Sequence, residues 1–178
     1  MSKKFSNAYK PRLFFQLVYI RIFMVKCTLK SEIFDCLMGK ARLSDCLLRG
    51  YSSIIFKDDS VIGIGHSFVP CGEKCGETGV CKRKVLQKEF QCQFDFYEVC
   101  PIIHAEMSAI LSCGKLENCA GASLYLLGIN QHDMSVYQDA FPCSLCLRHI
   151  ILVGITRICI VQNEYSYHEF LLGRDGFQ

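Results

Sequence analysis

Thirteen cysteines are spread through this 178-residue chain, and no other feature limits its possible folds so strongly. Cysteine at that density means disulfides, metal ligands or both. Disulfide scaffolds are short, secreted and poor in aliphatic core, whereas 51% of this sequence is hydrophobic. An odd count also forbids complete internal pairing. The N-terminus starts basic and turns apolar, but Lys26 to Lys30 offers no small-residue cleavage site of a secretory signal. The expectation is a reduced, cytoplasmic protein whose cysteines divide between metal ligands and inert core thiols.

The length suits one domain with a proper core. Charge is unevenly placed within the net +3. The first 30 residues hold seven Lys or Arg and no acid, which leaves thirteen basic against seventeen acidic residues, a net −4, in the remainder. A domain of that sign does not coat phosphate backbones, so nucleic acid is not an expected partner. The longest apolar stretch, Leu13 to Val25, is 13 residues broken by Gln16 and Arg21, too short to cross a bilayer. Residues 1–30 therefore read as a basic N-terminal extension: a transit peptide, an interaction arm, or a non-native addition ahead of Met24. Residues 31–178 read as the domain, because periodic patterning begins only near Ser31.

Within that domain, Ile33, Phe34, Leu37, Met38 and Ala41 form a helical stripe in 31–48, with Ser31 as a cap. Ser52–Phe56 and Val61–Gly65 read as a hairpin around Lys57-Asp58-Asp59-Ser60. Residues 68–100 form a Cys-rich insertion without a sustained period. Helical spacing returns over Ile102–Cys113, followed by a strand at Ala122–Ile129 and a polar loop. A helix over Cys143–Val153 ends at Gly154, a strand follows at Thr156–Gln162, and Tyr167–Leu172 is expected as a short closing helix. Such alternation predicts a mixed sheet covered by helices, a three-layer α/β/α sandwich.

Two segments carry chemistry, His104-Ala105-Glu106 and Pro142-Cys143-Ser144-Leu145-Cys146. Each opens an expected helix. Cysteines at i and i+3 of a helix start project to one side, and the helix dipole favours their thiolates. With one imidazole from the other helix they make a Cys₂His set, which leaves one position of a tetrahedral zinc open. Structural zinc is closed by four protein ligands, so three ligands and a neighbouring acid read as catalytic. Such an ion lowers the pKa of water from about 16 to roughly 7, and Glu106 is close enough in sequence to take a proton without binding the metal.

The order HxE followed by PCxxC is the signature of zinc deaminases. Together with ARLSDC (41–46), IIFKDDSVIGIGHS (54–67), CPIIHAEMSAI (100–110) and PCSLCLRHIILVGITRICIV (142–161), it resembles the cytidine/deoxycytidylate deaminase family over about residues 31–173, most closely the deoxycytidylate branch. The resemblance implies a sheet of about five strands between helices, one zinc per subunit and a homo-oligomer. It implies that His104, Cys143 and Cys146 hold the zinc and Glu106 shuttles protons. It also implies that Ala105 offers its backbone to the pyrimidine and that the Ser67 position contacts the sugar. Ser67 and Ser108 stand where that branch commonly has Asn, and the loop Asn130–Ala140 is longer than usual.

A loop as long as the Cys-rich insertion needs something to order it. A Cys₄ zinc would do so; the alternative is reduced loop thiols without metal. Some deoxycytidylate deaminases hold a second zinc in this insertion, and the resemblance implies Cys75, Cys81 and Cys100 as ligands with Cys71 as the fourth. The expected activity is deamination of a small-molecule cytosine nucleotide, deoxycytidylate by preference, to the uracil nucleotide and ammonia. The alternatives are a deaminase of a base in tRNA or single-stranded DNA, for which only the basic arm speaks, and a catalytically silent zinc module, which would not need Glu106.

Overall fold

Alternation along one central strand writes two faces into the sheet. In β4 (Ser123–Asn130) Leu124 and Leu126 pack into one core cluster, while Leu127 and Ile129 pack into the other. The same division runs through β2 (Arg49–Lys57), where Ile55 and Ile54 fall in opposite clusters. A computed structural model describes residues 20–72, 74–91 and 99–172, with side chains from Thr28 onward. Among the described residues these strands, with β1 (Ile20–Thr28), β3 (Ser60–His66), β5 (Arg157–Asn163) and β6 (Ser166–Leu172), form one mixed sheet of six in the order β1-β6-β5-β4-β2-β3.

β2 turns back into β3 (Ser60–His66) through Asp58 and Asp59, both at positive φ, the geometry a tight hairpin needs. β4 pairs antiparallel with β2 and parallel with β5 (Arg157–Asn163). Helix α1 (Ser31–Ala41) lies on the Leu127/Ile129 face through Leu37 and Ala41. The opposite face carries α4 (Ala105–Ser112) and α5 (Ser144–Leu152), through Ala109, Ile110 and Ile150. Helices on both faces of a mixed sheet make the expected α/β/α sandwich.

Three elements differ from the sequence expectation. Tyr167–Leu172 is not a closing helix but belongs to strand β6 (Ser166–Leu172), antiparallel to β5. Asn163 reverses the chain there: its side-chain oxygen accepts from the Tyr165 amide at 2.9 Å and the Ser166 hydroxyl at 3.1 Å, an Asx turn that closes a tight hairpin in which Ser166 pairs with Asn163. The sheet has six strands rather than about five. The additional one, β1 (Ile20–Thr28), pairs with β6 and lies within the segment expected as an extension. The insertion contains α2 (Cys75–Thr78) and α3 (Lys82–Glu89). α3 buries none of its residues, so it carries no apolar period from which a helix could be read. Cys92 of the same insertion and most of the basic extension lie outside the described residues.

Glycines in β3 allow α4 to approach. A Cβ on Gly65 would meet the Ala105 carbonyl oxygen at 2.5 Å and Ser108 at 2.7 Å, and one on Gly63 would meet the Ala109 carbonyl oxygen at 2.5 Å. Backbone therefore lies on backbone, and the first turn of α4 is held against the end of β3. The eleven cysteines whose side chains are described are all free, and no described helix is long and apolar enough to cross a membrane.

Candidate metal centre

α4 and α5 present their N-termini to the same space above the sheet. His104 is the N-cap of α4, with extended backbone. The strand-like segment before it is pinned by paired hydrogen bonds between Phe68 and Ile103, at 3.2 and 2.8 Å. Cys143 is the N-cap of α5, and its sulfur accepts from the Cys146 amide at 3.5 Å, so a ligand sulfur also satisfies one of the helix's open N–H groups. Phe141 just before it stacks edge-on against Phe170 of β6 at 5.2 Å. α5 closes with the Gly154 amide bonded to Ile151 at 3.0 Å and the Ile155 amide to Ile150 at 3.2 Å, a glycine-based stop at the expected residue.

His104 Nδ1 stands 3.4 Å from Cys143 Sγ and 3.4 Å from Cys146 Sγ. A zinc ion bound to nitrogen at about 2.1 Å and to sulfur at about 2.3 Å separates them by about 3.6 Å in a tetrahedral arrangement. The three side chains thus stand almost as ligation requires, and they are the one such group within 4.8 Å among the described residues. Glu106, only 4% exposed, sits in the first turn of α4 beside them and outside the group.

The electrostatics fit an ion as well. The Cys146 contact and the nearby His104 hold the Cys143 thiol down to about 4, a thiolate at neutral pH. Cys146 is pushed up, first by its bond to that thiolate and then by burial. His104 is raised by the Cys143 hydrogen bond, and burial raises Glu106. At neutral pH the metal-free pair of sulfurs therefore shares one negative charge and keeps one proton. A dication must expel that proton. Zinc loading at pH 7 is expected to release at least about one proton, from Cys146, with a further share from His104. Calorimetric titration in buffers of different ionisation enthalpy measures this; loading without proton release would contradict it.

Ala105 is fully buried at the first position of α4, where its amide has no acceptor within the helix. Ser67 is 2% exposed at the end of β3; its hydroxyl meets that of Ser44 at 2.7 Å and accepts from the Tyr51 amide at 3.1 Å. Of the expected second-zinc ligands, Cys71 is exposed, and Cys71, Cys75, Cys81 and Cys100 do not meet within 4.8 Å. Burial raises the Cys75 thiol, as does the proximity of Cys81, Cys100 and Cys46. The neighbour from outside the insertion is therefore Cys46, which sequence proximity did not suggest.

Sequence reasoning also missed three side chains around the centre. Tyr51 lies on the α4/α5 face close enough to feel the charge of Glu106. Tyr137, from the loop after β4, and Arg49 join it, with the Arg49 guanidinium carbon 5.0 Å from the Tyr137 ring centre. The period-2 alternation of β2 could have placed Arg49 and Tyr51 together; nothing local signalled Tyr137.

A family model described as "Cytidine and deoxycytidylate deaminase zinc-binding region" matches residues 35–162. A cytosine deaminase of Candida albicans is 27% identical over 128 residues, 71% of this chain and 61% of its own length. A deoxycytidylate deaminase of Homo sapiens is 22% identical over 112 residues, 63% of this chain and 52% of its own. The chain thus spans little more than half the length of these relatives. Among solved structures, a dCMP deaminase from the cyanophage S-TIM5 superposes with a TM-score of 0.40 at 18% identity, covering 75% of this chain and 86% of that one.

Proposed function

Because this chain belongs to the cytidine and deoxycytidylate deaminase family, we propose that it is a zinc-dependent hydrolytic deaminase of a cytosine nucleotide, deoxycytidylate by preference, acting as a cytoplasmic homo-oligomer. The observation that carries the reading is His104 Nδ1 held between two thiol sulfurs at 3.4 Å, with a buried carboxyl beside them.

His104, Cys143 and Cys146 would hold the zinc, which supplies an activated water when bound. Glu106 takes a proton from the attacking water and delivers it to the ring nitrogen next to the reacting carbon. It then moves the second proton to the departing amine, so the carbon–nitrogen bond breaks as the carbon–oxygen bond is completed and ammonia leaves. Burial supports this role, because it raises the carboxyl above its ordinary range and so makes the carboxylate a stronger acceptor of the water's proton. The first-turn amide of Ala105 would orient the ring. Ser67 would reach a sugar hydroxyl by exchanging its bond to Ser44. Support for a charged substrate comes from α3, whose Arg83 is near enough to act on His104.

The test is ultraviolet absorbance of zinc-loaded protein with cytidine, deoxycytidine, their monophosphates and free cytosine. Loss of cytosine absorbance with matching ammonia, fastest on deoxycytidylate, is expected. No turnover on any of the five would contradict the reading.

A further inference from the structure

β2 delivers more to the metal centre than Tyr51. Arg49 stands two residues earlier and so on the same sheet face, the one that carries α4 and α5. Its guanidinium lies over the Tyr137 ring, the carbon 5.0 Å from the centroid, and Tyr51 is close enough to influence its charge. No carboxylate of the described residues is paired with Arg49.

The placement follows from the fold. Tyr51 sits opposite Gly128 in the β2–β4 register, and the Tyr137 amide bonds the Gly128 carbonyl at 2.8 Å. The loop after β4 is thereby folded back over the end of β2 before it runs on to Phe141, Pro142 and the metal-ligating Cys143. Arg49 is exposed at the outer end of this arrangement. At the inner end, Tyr51 feels the carboxylate of Glu106. One tyrosine therefore separates the guanidinium from the proposed reacting centre.

A guanidinium has five donors in a planar fork, and stacking on an aromatic ring leaves those donors free for a ligand. Stacking on an aromatic ring fixes its plane beforehand, which suits bidentate capture of an oxyanion. We propose that Arg49, oriented by Tyr51 and Tyr137, is the anion anchor that receives the phosphate of a pyrimidine nucleoside monophosphate whose ring occupies the metal centre. The proposal rests on the deaminase reading and adds to it the residue that sets phosphate preference.

Two measurements on zinc-loaded protein test it: kcat/KM for deoxycytidylate against deoxycytidine, and calorimetric affinity for deoxyuridylate against deoxyuridine. Wild type is expected to favour the phosphorylated member of each pair. Arg49→Gln should lower both ratios by about 10- to 100-fold, the range of a charge-assisted pair. Arg49→Lys, which keeps the charge without the fork, should lower them less and serves as the measure if the glutamine variant fails to retain zinc. Equal losses on both members, leaving the ratios unchanged, would mean a bracing role and overturn the proposal. So would a wild type that does not distinguish the pairs, with deamination itself still standing. Absent turnover with Arg49-dependent preference for deoxyuridylate would instead contradict the deaminase reading and leave the anchor in place.

Discussion

Replacing Glu106 by Gln is expected to leave zinc bound and to lower the rate of deamination by about 10²- to 10⁴-fold, the contribution of a positioned proton-transfer group. Zinc stays because the three ligand atoms gather without the carboxylate. The fold stays because Gln is nearly isosteric in a site only 4% exposed. Stability should move in an unusual direction. Burial raises the Glu106 pKa in the folded state, so its favourable contribution is complete below its ordinary value and is lost as pH rises through the raised one. Metal-free Glu106→Gln should therefore melt no lower than wild type at pH 8, and the difference should fade toward pH 4. Ammonia release and differential scanning fluorimetry read the two arms. A variant that keeps full turnover would remove Glu106 from the chemistry, and one that loses zinc would make it a structural residue instead.

Gly65→Val should damage the same centre from below. The added side chain meets backbone atoms of Ala105, Ser108 and Ala109, which cannot yield as a flexible side-chain end can. Overpacking of this kind costs about 1–3 kcal/mol, and a backbone collision belongs at the upper end, about 6–12 °C in Tm for a domain of this size. The displaced element is the N-terminal turn of α4, so zinc retention should fall with stability. Gly39→Ala is the matched control. Nothing lies within 4 Å of a Cβ there, and alanine in a helix should stabilise by about 0.5–1 kcal/mol. Equal melting temperatures for the two variants would refute the close approach of α4 to β3.

What could be read from sequence was what is encoded locally. His104, Cys143 and Cys146 occupy helix starts, where spacing of two or three residues already determines which groups share a side, and the structure brings the three together. Gly154 ended its helix as expected. The failures share a cause: they depend on partners distant in the chain. Tyr167–Leu172 suits either a short helix or a strand until the Asn163 turn and the open edge of β5 decide for β6. Cys46 comes close to Cys75 through the folding of the insertion, not through spacing. Arg49 and Tyr137 are 88 residues apart, and only the β2–β4 register and the returning loop stack one on the other.

X-ray absorption at the zinc edge, on protein loaded with one equivalent of zinc, tests the central claim most directly. The account predicts two sulfurs at about 2.3 Å and two nitrogen or oxygen atoms at about 2.0–2.1 Å, one of the latter lost in His104→Ala and the other exchangeable with solvent. A shell of four sulfurs, or a fourth protein ligand in the position meant for water, would contradict it.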